Sequence, residues 1–253
     1  MKKIITYIII FFISLCSIYA VDIFEEFKNN VQQQYLNPFT KDLTGLICSN
    51  IVNNAESLKL FSALPPSIGL NVRLYTPIKE IDDENIILQN AFQNQDFKYI
   101  LMPMLQVEKG LPYNIDLIGR FSGYFYKRFI FYGFGLRYNI FSLPAGMLNI
   151  SIAGFYNFLK VEDVLDMNSN SLNLVVSLNK IPIINPYIVI GFDNAEMEIS
   201  EKLNLGKLKG KFSSGLRYEG GLNFSFFPFL YLNLAYSKTY DKDAYSLGLG
   251  LKF

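Results

Sequence analysis

From Ser67 to the terminal Phe253, apolar side chains recur at every second position in one segment after another. A period of two is the mark of a β-strand with one apolar face. "FIFYGFGLRYNIF" sets Ile130, Tyr132, Phe134, Leu136, Tyr138 and Ile140 against Gly133, Gly135, Arg137 and Asn139. "LNISIAGFYNF" sets Leu148, Ile150, Ile152, Tyr156 and Phe158 against Asn149, Ser151, Ala153 and Asn157. The pattern returns in "SIGLNVRLYTPI", "YILMPMLQVEK", "NIDLIGRFSGY", "LNLVVSLN", "PYIVIGFDN", "GLRYEGGLNFSF", "LYLNLAYS" and "AYSLGLGLKF".

Such strands build either a soluble sandwich or a transmembrane barrel. Many of the segments reach the roughly 9–11 residues that a tilted strand needs to cross a bilayer, whereas ordinary strands average about 5–6. The face opposite the apolar one is Asn, Ser, Gly and Ala with an occasional charge, which suits a narrow lumen better than a wet sheet surface. The apolar faces end in Tyr and Phe, as interfacial girdles do. The expected fold is therefore all-β: an antiparallel transmembrane β-barrel of about ten strands over residues 67–253. The mixed segment "PYIVIGFDN" leaves eight or twelve open.

Connections sort by side. "KGLPYN", "SLPAGM", "KIPIINP" and "FFPF" are compact and carry Pro, as short periplasmic turns do. The alternate set holds the long connections 79–98 and 194–211, and "VEDVLDMNSN" falls with them. Both ends of the sheet then lie on the periplasmic side. In the last strand Tyr245, Leu247, Leu249, Leu251 and Phe253 form one apolar face ending at an aromatic carboxyl terminus. That pattern resembles the signal read by the outer-membrane barrel assembly machinery.

Residues 1–20 have two lysines and then an apolar run from Ile4 to Ile13, which is the form of a cleaved secretory signal peptide. Cys16 raises lipidation, against which Leu15 argues. Residues 21–66 change the period to about 3.6. Ile23, Phe27 and Val31 suggest one amphipathic helix behind Asp22, Pro38 interrupts, and Leu43, Ile47, Ile51 and Ala55 suggest a second. Short helices with narrow apolar stripes must bury them somewhere. Residues 21–66 are therefore expected to plug or cap the barrel, lying in or across its periplasmic mouth; a periplasmic tether or a membrane-surface helix is the alternative.

Several classes of chemistry are excluded. There is no histidine, so Ser–His and Cys–His nucleophiles are absent. Beyond the signal segment Cys48 is the single cysteine, which leaves no internal disulfide and a poor donor set for zinc. A net charge of +1 without a basic stripe gives no case for nucleic acid. No catalytic residue, metal site or cofactor is expected. Seven charged residues point inward by parity: Arg73, Glu108, Asp116, Arg120, Arg137, Arg217 and Glu219. The favoured reading is an internal ion-pair network that satisfies a narrow lumen. The alternative is a charged constriction selecting small solutes.

The order of "YLNPFTKDLTGL", "IGRF", "FYGFGLRYNIFSLPAG", "LNISIAGFYNF" and the terminal strand resembles an uncharacterised family of bacterial outer-membrane barrel proteins. More loosely, it is similar to the long-chain fatty acid transporter class, where an N-terminal segment plugs a barrel admitting hydrophobic molecules. The closer family brings no known activity with it; from the barrel and its helical segment, the expected function is a narrow or gated pore for small or hydrophobic solutes, set in outer-membrane lipid. A non-conducting barrel presenting its loops to other surfaces is the competing function.

Overall fold

The computed structural model describes residues 27, 31–58, 69–91, 98–124, 129–143, 147–179, 183–203, 207–227 and 229–253. The proposed signal peptide lies outside them, as does the first expected helix apart from Phe27 and the stretch from Val31 onward. The elements are α1 (Gln33–Cys48), β1 (Leu70–Glu80), α2 (Ile86–Ala91), β2 (Tyr99–Leu101), β3 (Met104–Gly110), β4 (Ile115–Tyr124), β5 (Phe129–Ser142), β6 (Leu148–Val161), β7 (Leu165–Leu178), β8 (Ile184–Ile199), β9 (Lys209–Phe227), β10 (Leu230–Thr239) and β11 (Lys242–Lys252).

From β3 onward every strand pairs antiparallel with its neighbour in sequence, and β11 pairs back onto β1 from Asn71↔Lys252 to Lys79↔Ala244. The sheet is therefore closed. β2 and β3 share the other edge of β1, at Glu80↔Tyr99 and Tyr75↔Met104, and form one stave broken at Met102 and Pro103. Proline has no N–H to give the ladder. Counted this way the barrel has ten staves, and the choice among eight, ten and twelve is settled. The segment around Tyr187–Asn194, the least regular in sequence, lies within β8.

β1 begins and β11 ends at one mouth, here called the terminal mouth. The connections 111–114, 143–147, 179–183 and 228–229 belong to it, and the long connection 81–98 belongs to the far mouth. Around the middle, outward residues are apolar and open to the surroundings: Leu136 is 56% exposed and Ile188 58%, with Leu117, Phe134, Leu172, Phe192, Leu222 and Leu247 also exposed. A contiguous belt of this kind is stable in hydrocarbon and unfavourable in water. Arginine at Leu136 should cost about 2–4 kcal/mol of stability in lipid, whereas arginine at Tyr113, fully exposed in a turn of the terminal mouth, should be near neutral. Denaturant unfolding in bilayers measures both, and equal tolerance would mean that the belt does not face lipid.

At the far mouth the alternation reverses, and two expected loops turn out to be strand. The 194–211 connection shrinks to 200–208, since β8 and β9 pair out to Glu198↔Lys209. "VEDVLDMNSN" contains only a tight turn, with Val161 pairing Leu165 and Asp163 at φ 63°. In these extensions Leu165, Met167, Ala195, Met197 and Ile199 face inward and are buried, while Asp166, Asn168, Glu196 and Glu198 face out. Cross-strand pairs Lys209–Glu198 and Lys211–Glu196 line the outside. The staves here rise beyond the apolar belt, so their outer face meets water and their inner face meets α1. A strand with polar residues outward and apolar residues inward reads as a loop to a search for apolar outward faces.

Candidate functional site

The lumen is occupied. α1 fills its far half, packed on β8, β9, β1 and α2. This helix differs from the second one expected in sequence: it begins at Gln33, carries Pro38 within it and ends at Cys48. Ile51 and Ala55 therefore lie on extended chain and not on a helical stripe. Leu36, Phe39, Leu43 and Ile47 are buried with Leu159, Val161, Met167 and Met197 in one apolar cluster, and Phe27 packs tilted against Phe39 with ring centroids 4.8 Å apart. Gly45 permits the close approach of the helix to the wall, because a Cβ there would sit 2.6 Å from Lys79 Cε and 2.8 Å from Thr239 Cγ2.

One buried ion pair fixes the helix. Lys79 Nζ donates to Asp42 Oδ1 at 2.5 Å, with neither side chain exposed. The Asp82 amide and Asn85 Nδ2 donate to Asp42 Oδ2 at 3.0 and 2.7 Å, tying the connection after β1 to the helix. Lys41 pairs with Asp82 at 2.6 Å. Burial pushes the Asp82 carboxyl up, but hydrogen bonds from Lys41 and the Glu84 amide outweigh it and hold the group below its ordinary value.

At the end of α1 the Ser49 amide and hydroxyl both donate to the Gly45 carbonyl. Asn50 then adopts φ 52°, a left-handed conformation that asparagine tolerates better than most residues. The turn releases the chain into an extended run down the lumen. Asn50 is bonded on every side. Its amide donates to Glu219 Oε2 at 2.8 Å, and its Nδ2 to Asn233 Oδ1 and Ser246 Oγ, both at 2.7 Å. Its Oδ1 accepts from Tyr187 OH at 3.0 Å, and its carbonyl from Arg73 Nη2 at 2.6 Å.

The rest of the run is held largely through its main chain. Arg120 donates to the Ile47 carbonyl at 2.6 Å, Gln106 to Ile51 at 3.1 Å and Asn223 to Asn53 at 2.8 Å. Arg137 donates to the Asn54 carbonyl and Asn139 to Ala55, each at 2.8 Å. The Ala55 amide donates to Ser177 Oγ at 3.0 Å and the Leu58 amide to Asp116 Oδ1 at 2.9 Å. Extended chain has no internal ladder, so its buried polar groups need partners from outside. The wall side chains supply them.

All seven charged residues singled out in the sequence face the lumen and are buried. They divide into two clusters and two single guanidiniums. Arg137 bridges Asp116 at 2.9 Å and Glu108 at 3.2 Å. Arg217 bridges Asp193 at 3.2 Å and Glu219 at 3.1 Å, with Tyr240 and Ser171 also donating to Asp193. Arg73 lies over the Tyr75 ring at 4.2 Å and Arg120 over Phe131 at 5.2 Å. Neither of the two has a carboxylate among its described hydrogen bonds; the carbonyls of residues 47–51 take that place. Sequence reasoning passed over Asp193, Lys79, Asp42 and Asn50. Strand parity could have found the first two: Asp193 opposes Ile190 and Phe192, and Lys79 continues the inward series of Arg73 and Tyr75 past the expected strand end. Nothing local distinguishes Asp42 or Asn50.

Toward the terminal mouth the packing opens into a cavity of about 150 Å³, bordered by Asn53, Asn54, Glu56, Glu108, Arg137 and Asn179 among others. The Asn179 Oδ1 is buried there without a hydrogen-bond partner among the described residues. The terminal face places Tyr245, Leu247, Leu249, Leu251 and Phe253 on the outside of β11, and Phe253 closes onto β1 by two main-chain hydrogen bonds with Leu70.

The profile of DUF6588, a family of unknown function, matches residues 63–253. The chain belongs to that family. The match covers the barrel and leaves out α1 and the extended run. No curated protein sequence matches. Among solved structures the chain is similar to a KdgM porin, with TM-score 0.41 and 7% identity over 72% of this chain and 99% of that one. It is also similar to the N-terminal β-barrel domain of Pseudomonas aeruginosa OprF, with TM-score 0.35 and 14% identity over 72% and 97%. A third is Ail, the attachment invasion locus protein of Yersinia pestis, in complex with the heparin analogue sucrose octasulfate, with TM-score 0.34 and 14% identity over 72% and 95%. These likenesses are of fold. No link to the long-chain fatty acid transporters is found.

Proposed function

We propose that this member of DUF6588 is a non-enzymatic outer-membrane barrel, delivered by a cleaved signal peptide and the barrel assembly machinery, whose pore is closed by its own N-terminal segment and conducts only when that segment yields. The observation that carries the reading is the filled lumen: residues 31–58 run along it, and Arg73, Lys79 and Arg217 have no exposure. In its terminal half the segment is held mainly by hydrogen bonds from polar wall side chains, contacts that water can replace when the segment moves. The cavity beside it is bordered by amides, carboxylates and a guanidinium, which supports small polar solutes over acyl chains. A second reading, a structural or surface-presenting barrel that never opens, is favoured by the buried Lys79–Asp42 pair, because separating such a pair is costly.

Planar-bilayer conductance separates the two. The full-length protein is expected to be closed at rest and to open under voltage. A variant lacking residues 27–58, checked for heat-modifiable migration, should conduct continuously, because water then solvates the wall charges. A correctly assembled deletion variant that stays silent would end the pore reading.

A further inference from the structure

The direction of the N-terminal segment has a consequence for topology. Gln33 exchanges hydrogen bonds with the main chain of Lys209, at 2.7 Å from its Nε2 and 3.3 Å to its Oε1, and Asn37 Oδ1 accepts from the Lys211 amide at 2.9 Å. Lys209 opens β9 at the far mouth. At the other end, Leu58 is bound by Asp116, which opens β4 beside the terminal mouth, and Lys252 at the end of β11 pairs with Glu56 at 3.6 Å. The segment therefore crosses the whole lumen, and its N-terminal side leads at the far mouth. Its reach agrees: the helix of 16 residues spans ~24 Å at about 1.5 Å per residue, and the extended run to Leu58 adds ~33 Å at about 3.3 Å per residue. Together these exceed the ~30 Å hydrocarbon core.

The far mouth holds the two long connections, 81–98 and 200–208, beside short turns at 125–128, 162–164 and 240–241, whereas no connection at the terminal mouth exceeds five residues; in outer-membrane barrels the side with the long loops is the external one. We propose that this barrel threads its own N-terminal segment outward, so that Gln33 and Gln34 at the start of α1 are presented at the cell surface while the C-terminus stays in the periplasm. The wall is built for such a passenger. Its guanidiniums, amides and carboxylates grip main-chain carbonyls and amides between Ile47 and Leu58, and that mode of binding recognises polypeptide rather than a particular side chain. The threading goes beyond the pore reading and holds whether or not the barrel conducts.

Cysteine accessibility tests it. In a Cys48→Ser background, single cysteines are placed at Gln34, exposed at the start of α1, at Asp241, exposed in the β10–β11 turn of the far mouth, and at Tyr113, exposed at the terminal mouth. Intact cells are treated with a membrane-impermeant maleimide. Gln34→Cys should react as fully as Asp241→Cys, and Tyr113→Cys should react only after the outer membrane is permeabilised. Reaction of Gln34→Cys together with Tyr113→Cys would overturn the threading, and equal reaction of the two reference positions would overturn the outer-membrane placement and the surface display with it. Purified protein supplies a check that needs no membrane: in the same Cys48→Ser background, Thr40→Cys with Gly210→Cys, where an inward Cβ on β9 would abut the Thr40 hydroxyl on α1, should form a disulfide on mild oxidation. A folded variant with no cross-link would place the segment elsewhere and overturn the proposal.

Discussion

Replacing Asp42 by leucine should loosen α1 from the far mouth by about 3–5 kcal/mol, the usual consequence of removing one partner from a buried ion pair. The carboxylate takes three hydrogen bonds, from Lys79, the Asp82 amide and Asn85. Without it, an ammonium with no exposure keeps, among the described residues, the Glu80 carbonyl at 2.9 Å as its one remaining hydrogen-bond acceptor. The sheet itself does not depend on this contact, so the loss should appear as local opening of the segment rather than as barrel unfolding. Cys48 reports it. Its thiol is fully buried at 4.0 Å from Ser169 Oγ, and alkylation requires the helix to leave. At tenfold per about 1.4 kcal/mol, alkylation in Asp42→Leu should be faster by roughly two to three and a half orders of magnitude. Lys79→Met in the same chain should restore much of the protection, since an apolar pair of similar volume removes the unpaired charge. Simple addition of the two single effects would show that the pair is not coupled.

Asn50→Ala should have a comparable effect through a different route. The substitution removes the partner of Asn233, Ser246, Tyr187 and one Arg73 nitrogen, all four residues being buried. Each buried group left unpaired costs about 1–3 kcal/mol, and alanine adds about 1–2 kcal/mol in the left-handed conformation. Asn50→Gly loses the same side chain without the conformational penalty. Cys48 alkylation should therefore rank Asn50→Ala fastest, then Asn50→Gly, then the parent, and the gap between the two variants measures the turn alone. Indistinguishable alanine and glycine variants would mean that the φ of 52° is not retained in solution.

Legibility in the sequence followed the surroundings of each stretch. Where the outer face met the apolar belt, as in β5 and β6, alternation located strands, faces and inward charges such as Arg137 directly. Beyond the belt the same rule failed, because Met167, Met197 and Ile199 turn inward toward α1 while Glu196 and Glu198 meet water. The N-terminal segment was harder still. Its helical period extended in sequence through Ile51 and Ala55, yet Asn50 ends the helix, since the wall offers that residue five partners that helical continuation would not reach.

The sequence by itself determined a closed antiparallel sheet, the face each strand turns to the lumen, and the seven charges that stand there, because a period of two fixes side-chain direction within every strand. Whether the lumen is empty, which way the segment runs through it and which charges find partners were decided only by tertiary structure. Asp42 meets Lys79, and Arg73 meets the carbonyl of Asn50, across stretches of chain that carry no shared local pattern. Desolvation selects such contacts: once the barrel closes, each buried charge and each main-chain amide takes whichever partner the closed space brings within hydrogen-bond reach.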